Sequence, residues 1–160
     1  MESLFTPKCT LVPSNFYDDN CAGVYLAQVF VIEQGEEVRS VFVPEYNSYL
    51  VWAQSGSDIP EGTLPEMYYI LQDLRKCPDY NKILCSWKEG VLYLAIAQGK
   101  SLLLSNTYQA PDFVTAEYWI FLALRSLQLN PEISTICLRT PVSAEDEMSL
   151  YRYFKAVEIL

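Results

Sequence analysis

The clearest hydrophobic pattern lies in the second half of the chain. Three apolar or alternating runs, residues 82–87, 91–97 and 101–108, are joined by Lys88-Glu89-Gly90 and Gln98-Gly99-Lys100. Short glycine-bearing connections suit tight hairpins, so the pattern predicts a three-strand antiparallel meander. Pro111-Asp112 then opens a helix running to about residue 129, where Asn130-Pro131 ends it. Phe113, Ala116, Ile120, Ala123, Leu124 and Leu127 recur at helical spacing and trace its inner face. Trp119, Phe121 and Leu122 widen that face, which predicts a helix buried on more than one side. Ser134-Thr135-Ile136-Cys137-Leu138 is nearly continuous in apolar character, as in the centre of a covered sheet. Ser143, followed by Glu145, Asp146 and Glu147, predicts a capped helix start whose acids complement the positive end of the dipole. That helix is expected to continue through Leu150, Tyr153 and Phe154, and Val157-Glu158-Ile159-Leu160 to begin a further strand left incomplete.

The first half is less regular. Cys9-Thr10-Leu11-Val12-Pro13 predicts a short strand closed by proline. Ser14-Asn15 and Asp18-Asp19 offer caps for a helix over 22–30, although Val29-Phe30-Val31-Ile32 suits a strand equally well. Gly35-Glu36-Glu37 reads as a polar break. Residues 38–43 alternate weakly, with Val41 and Val43 on one face and Phe42 on the other, and 48–54 reads as another strand. Residues 55–62, Ser-Gly-Ser-Asp-Ile-Pro-Glu-Gly, form the strongest breaker cluster. Beyond it, Met67, Ile70, Leu71 and Leu74 give 64–76 a helical period, which Cys77-Pro78-Asp79-Tyr80-Asn81 stops. The expected organisation is a first segment of 1–56, a helical connector of 57–81 and a second segment of 82–160.

Composition narrows the options. A chain of 160 residues, 51% hydrophobic and 19% charged, has ample core material and is not disordered. Acids outnumber bases 20 to 11, giving a formal charge of −9, which disfavours nucleic acid and anionic membrane as partners. Histidine is absent, which removes the commonest catalytic base and metal ligand. The amino-terminal residues lack a positive region followed by a long apolar one. The longest apolar segment, Trp119-Ile120-Phe121-Leu122-Ala123-Leu124, falls short of the ~20 residues of a membrane span. Cys9, Cys21, Cys77, Cys85 and Cys137 are odd in number and widely spaced, so buried reduced thiols and a cytoplasmic location are expected.

Three meandering strands, a helix, a strand and a helix form the β-β-β-α-β-α order of a ribonuclease H-like half-domain, two of which build the actin, sugar-kinase and heat-shock chaperone superfamily. The chain also resembles an uncharacterised bacterial domain-of-unknown-function family with an actin-like ATPase fold. The stretches that carry the resemblance are Leu11-Val12-Pro13-Ser14-Asn15-Phe16-Tyr17-Asp18, Tyr46-Asn47-Ser48-Tyr49-Leu50-Val51-Trp52-Ala53 and residues 82–129. It implies an α/β fold of mixed sheets, with 1–56 the partial first actin-like subdomain and 82–160 the second, ribonuclease H-like one. Family members look longer at both ends.

Nucleotide-binding members of that superfamily hold phosphates with hairpins in which glycines allow close backbone approach and an aspartate engages the metal or its waters. The corresponding turn, Ser86-Trp87-Lys88-Glu89-Gly90, has one glycine, no aspartate and a bulky tryptophan. Gly99-Lys100-Ser101 imitates the end of a phosphate loop, but the position five residues earlier is Leu94, and the turn joins two strands. A two-metal nuclease would need carboxylates on its first strand, and Lys82-Ile83-Leu84-Cys85-Ser86-Trp87 supplies none. Asp18-Asp19, Glu36-Glu37 and Glu145-Asp146-Glu147 sit where solvated caps and turns are expected. No catalytic, cofactor-binding or metal residue is nominated, and ATP hydrolysis is not expected.

The aromatic groups Tyr46/Tyr49/Trp52, Tyr68/Tyr69 and Tyr151/Tyr153/Phe154 suit either core packing with wet hydroxyls or an exposed interaction surface. Open strand edges would also invite pairing. The leading expectation is a non-catalytic protein-interaction or assembly module that pairs with a protein partner or itself. The alternatives are a nucleotide-binding or kinase-like protein with an unrecognised site, and a fragment of a longer active chain.

Overall fold

The computed structural model describes residues 2–56 and 58–160. Two compact units divide between Tyr69 and Ile70.

In the first unit, β1 (Cys9–Pro13) is followed by α1 (Ala22–Ala27), β2 (Glu36–Val43) and β3 (Ser48–Ser55). The strands form an antiparallel sheet in the order β1-β3-β2, with Leu11 and Val41 both opposite Leu50. Val12, Leu26, Val51 and Ala53 form its core, against which Tyr17, Tyr25, Phe30 and Ile32 pack. The helix expected over 22–30 stops at Ala27, and residues 28–32 form no strand. Their two-residue alternation is nevertheless real: Phe30 and Ile32 pack inward while Val29 and Val31 are exposed. They line the core without joining the β1-β3-β2 ladder. Gly35, at φ 89°, makes the expected break, but Glu36 and Glu37 belong to β2, an edge strand that keeps charges in water.

Helix α2 (Glu66–Asp73) runs across the division and tightens into a 3-10 turn over Leu74–Lys76. Met67, Ile70, Leu71 and Leu74 are all buried, as their period predicts.

The second unit carries β4 (Asn81–Lys88), β5 (Val91–Gln98), β6 (Ser101–Gln109), α3 (Phe113–Ser126), β7 (Thr135–Leu138), α4 (Ala144–Tyr151) and β8 (Ala156–Ile159). Its sheet order is β6-β5-β4-β7-β8, antiparallel from β6 to β4 and parallel from β4 to β8. The chain is therefore a mixed α/β protein. The strand expected to be incomplete pairs with β7 along all four of its residues.

Ile83, Leu92, Leu94, Ile96, Ile136 and Leu138 pack with Phe113, Ala116, Ile120, Ala123, Leu124, Leu150 and Phe154. Full burial of such side chains contributes roughly 1.5–3 kcal/mol each. Ser143 caps α4 by accepting from the Asp146 amide, and Asp112 caps α3 through the Thr115 amide at 2.8 Å. The α4 helix ends at Tyr151, short of the expected Phe154, whose amide still reaches the Leu150 carbonyl.

Candidate functional site

The turn between β4 and β5 is where the family resemblance would place a phosphate. Lys88 pairs with Val91, and both turn residues, Glu89 (φ 53°) and Gly90 (φ 75°), are left-handed, as a two-residue hairpin prefers. Trp87 is a bracket for this turn. Its indole Nε1 donates to the Ala110 carbonyl at 2.8 Å, its amide donates to Thr140 Oγ1 at 3.0 Å, and its ring meets Phe113 edge-on at 5.4 Å. The Ala110 amide in turn donates to the Gly90 carbonyl at 2.8 Å. The tryptophan thus ties the hairpin to the segment entering α3 and to the loop after β7.

Gly99 likewise serves packing. It lies at φ 57°, its amide donates to the Tyr80 carbonyl at 2.9 Å, and a Cβ there would stand 3.1 Å from the Tyr80 ring. The close approach that needs a glycine is made to tyrosine.

The acidic groups are absorbed locally. Asp18 accepts from the Asn20 amide, and Glu36 accepts from Lys8 Nζ and the Glu33 amide, each at 2.7 Å. The Lys8 bond and the Glu33 amide hold the Glu36 carboxyl below its ordinary value. Thr115 does the same for Asp112. Among the described residues, no three histidine, cysteine, aspartate or glutamate side chains gather as a metal site. Glu117 is a carboxylate that the sequence reading missed. It is buried between α3 and α4, accepts both its bonds from Ser149 Oγ at 2.9 and 3.0 Å, and is pushed up by burial. Its helical position on the edge of the apolar face was the available signal.

The aromatic groups divide. In the first unit Tyr17 stacks on Tyr49 at 3.9 Å and donates to Ser40 Oγ at 2.7 Å, while Tyr25 donates to the Phe16 carbonyl at 2.8 Å. These residues fasten the segment between β1 and α1 to the sheet. Trp52 is buried and donates to Gln54 Oε1. In the second unit, by contrast, aromatic and aliphatic side chains reach solvent along α3. Val114, Tyr118 and Leu122, spaced by one turn each, are 77%, 58% and 43% exposed. This corrects the expectation of a helix buried on more than one side. Leu122 belongs to an outer stripe, and Trp119 and Phe121 lie half-buried at its flanks.

Trp119 stacks on Tyr108 at 5.0 Å and meets Tyr118 edge-on at 5.3 Å. Phe121 meets Tyr153 at 4.8 Å. At the carboxyl end of α3 the surface sinks into a mainly apolar groove of about 530 Å³ between Phe121, Leu124, Leu129 and Tyr153, with Arg125 and Gln128 on its rim. Geometry of this kind suits burial against another apolar surface.

No protein-family model matches the chain, and no curated protein sequence matches it. A solved structure from Bacteroides thetaiotaomicron, described as a protein with actin-like ATPase fold and unknown function, superposes with a TM-score of 0.80 at 15% identity. The match covers 97% of this chain and 65% of that one, so the chain spans less than two thirds of its structural neighbour. It has the fold of the actin-like ATPases. Among the described residues, no helix is long and apolar enough to cross a membrane.

Proposed function

We propose that the chain is a non-catalytic relative of the actin-like ATPases, serving as a cytoplasmic protein-interaction or assembly module. In this reading β4–β6, α3, β7 and α4 correspond to a ribonuclease H-like half-domain, residues 1–56 to part of a first actin-like subdomain, and 57–81 to the connector. The observation that carries it is the exposed stripe Val114, Tyr118 and Leu122, continuous in sequence with the apolar groove at the end of α3. Trp87 supports the same reading, because its bonds to Ala110 and Thr140 spend on packing the turn a phosphate would use.

Isothermal titration with magnesium and ATP is the direct test of the non-catalytic part. No heat of binding is expected, and micromolar affinity overturns it. The interaction part is read by a photoreactive residue at Leu122 in cells, with one at the exposed Lys100 as control. A discrete protein adduct is expected at Leu122 alone, and Tyr118→Glu should abolish it. Equal labelling at both positions counts against the stripe as the contact surface.

A further inference from the structure

Among the described residues, four strands end a sheet: β1 and β2 in the first unit, β6 and β8 in the second. Three of them carry a feature that discourages a further strand, Pro13 in β1, Glu36, Glu37 and Arg39 in β2, and Glu158 in β8. β6 has neither charge nor proline along its nine residues, Ser-Leu-Leu-Leu-Ser-Asn-Thr-Tyr-Gln. Its ladder to β5 is regular from Leu104 to Gln109, and a bulge at Leu103 lies toward its start. The Thr107 amide donates to Asn106 Oδ1 at 2.9 Å, and the Gln109 carbonyl accepts from Trp119 Nε1 at 3.0 Å. Ser105, Thr107 and Gln109 therefore turn their backbone groups away from β5.

We propose that β6 is a dimerisation edge: β6 of a second copy of this chain adds antiparallel to it, about a two-fold axis at Asn106, and joins the two five-stranded sheets into one. This dimer rests on the assembly reading above, whose partner it names, but its contact is β6 rather than the α3 stripe.

The match of β6 to its own reverse selects the occupant. With Asn106 opposite Asn106, Ser105 of each copy falls opposite Thr107 of the other, and both turn their amides and carbonyls outward. Each Thr107 amide then exchanges the Asn106 side chain for a Ser105 carbonyl. Leu104 falls opposite Tyr108. Both pack against the α3 core of their own copy, so an aliphatic and an aromatic side chain meet twice on that face.

Charge selects the same partner. Asp112 follows the end of β6 and uses a single oxygen, Oδ1, for its bonds from the Thr115 amide and hydroxyl. The exposed Lys100 precedes the start of β6. Antiparallel pairing sets each Lys100 beside Asp112 of the other copy, a match that a second copy makes twice. The formal charge of −9 opposes contact between copies over most of the surface, and an uncharged edge with these two ends avoids that repulsion.

Sedimentation velocity of the full chain, from micromolar to millimolar concentration, is expected to show a monomer giving way to a species of twice the mass. Asn106 is exposed, so Asn106→Lys should keep the circular dichroism of the wild type while weakening association several-fold, because two ammonium groups meet at the axis. Lys100→Glu should weaken it too, and by less as salt rises. A photoreactive residue at Lys100 deletes the cation from both pairs, so that position is not expected to capture the second copy in cells. The register is read by Asn106→Cys in a Cys21→Ser background, where the remaining native cysteines are buried. Opposite residues of a non-hydrogen-bonded pair lie within disulfide reach, so mild oxidation should cross-link Asn106→Cys but not Ser101→Cys. A chain monomeric throughout overturns the proposal, as does a dimer untouched by Asn106→Lys. Equal cross-linking at both positions overturns the register. A dimer without the Leu122 photoadduct counts against the stripe alone, and the photoadduct without a dimer counts against β6 alone.

Discussion

β2 and β5 are each eight residues long and are held in place by different physics. β5 lies between β6 and β4 and is buried at every position but its last. β2 is an edge strand, where only Val43 is fully buried and Glu36, Glu37 and Arg39 carry charge. The central strand relies on side-chain volume on both faces. The edge strand relies on its ladder to β3 and on polar fasteners such as the Lys8–Glu36 ion pair and the Tyr17–Ser40 hydrogen bond. Position in the sheet therefore decides which kind of substitution a strand tolerates.

The largest effect should separate the two strands directly. Ile96→Ala in β5 empties a fully buried site and is expected to cost about 3 kcal/mol, whereas Val41→Ala in β2, half-exposed, should cost less than about 1 kcal/mol. Urea denaturation of both variants reads the difference. Equal shifts in midpoint would break the comparison.

Trp87→Phe comes next. It keeps a ring against Phe113 but removes the bond to the carbonyl of the buried Ala110, for an expected loss of about 1–2 kcal/mol. Gly99→Ala, at the other end of β5, should cost about 1 kcal/mol from the left-handed backbone, and more if the Tyr80 ring cannot yield. A stability equal to wild type would show that the turn relaxes.

The pH dependence is the smallest effect and has opposite signs in the two units. Glu36 is held below its ordinary value by Lys8, so its contribution is present above the unfolded carboxyl value and is lost as pH falls through the folded one. Glu117 is raised by burial, so its contribution is present at low pH and is lost as pH rises from the unfolded value through the folded one. Stability measured from pH 3 to pH 7 should therefore fall more gently toward acid in Lys8→Met, which lacks the partner of Glu36. In Glu117→Gln the decline on the rising side of the Glu117 titration should vanish. Curves parallel to wild type in both variants would remove this part of the contrast.

Much of the fold could be read directly. Tight glycine turns at Gly90 and Gly99 allow only a meander, and Asp112 and Ser143 mark their helices because a short oxygen-bearing side chain can satisfy first-turn amides. The period of Met67, Ile70, Leu71 and Leu74 marked α2 for the same local reason. Residues 28–32 misled because alternation reports which side faces a core, and says nothing of whether a neighbouring strand is free to pair. Leu122 misled because an apolar residue beside an apolar stripe looks the same whether the next surface is present or absent.

Local chemistry along the chain thus determined the turns, the caps and the inner faces of the helices. Those depend on residues a few positions apart, whose interactions survive in any fold. Tertiary structure alone decided that β4 lies between β5 and β7, that Trp87 brackets a turn to Ala110 and Thr140, and that one side of α3 is left to solvent. Each of these is a meeting of segments distant in sequence, or the lack of one. Burial and pairing are set by what the folded chain places opposite a residue.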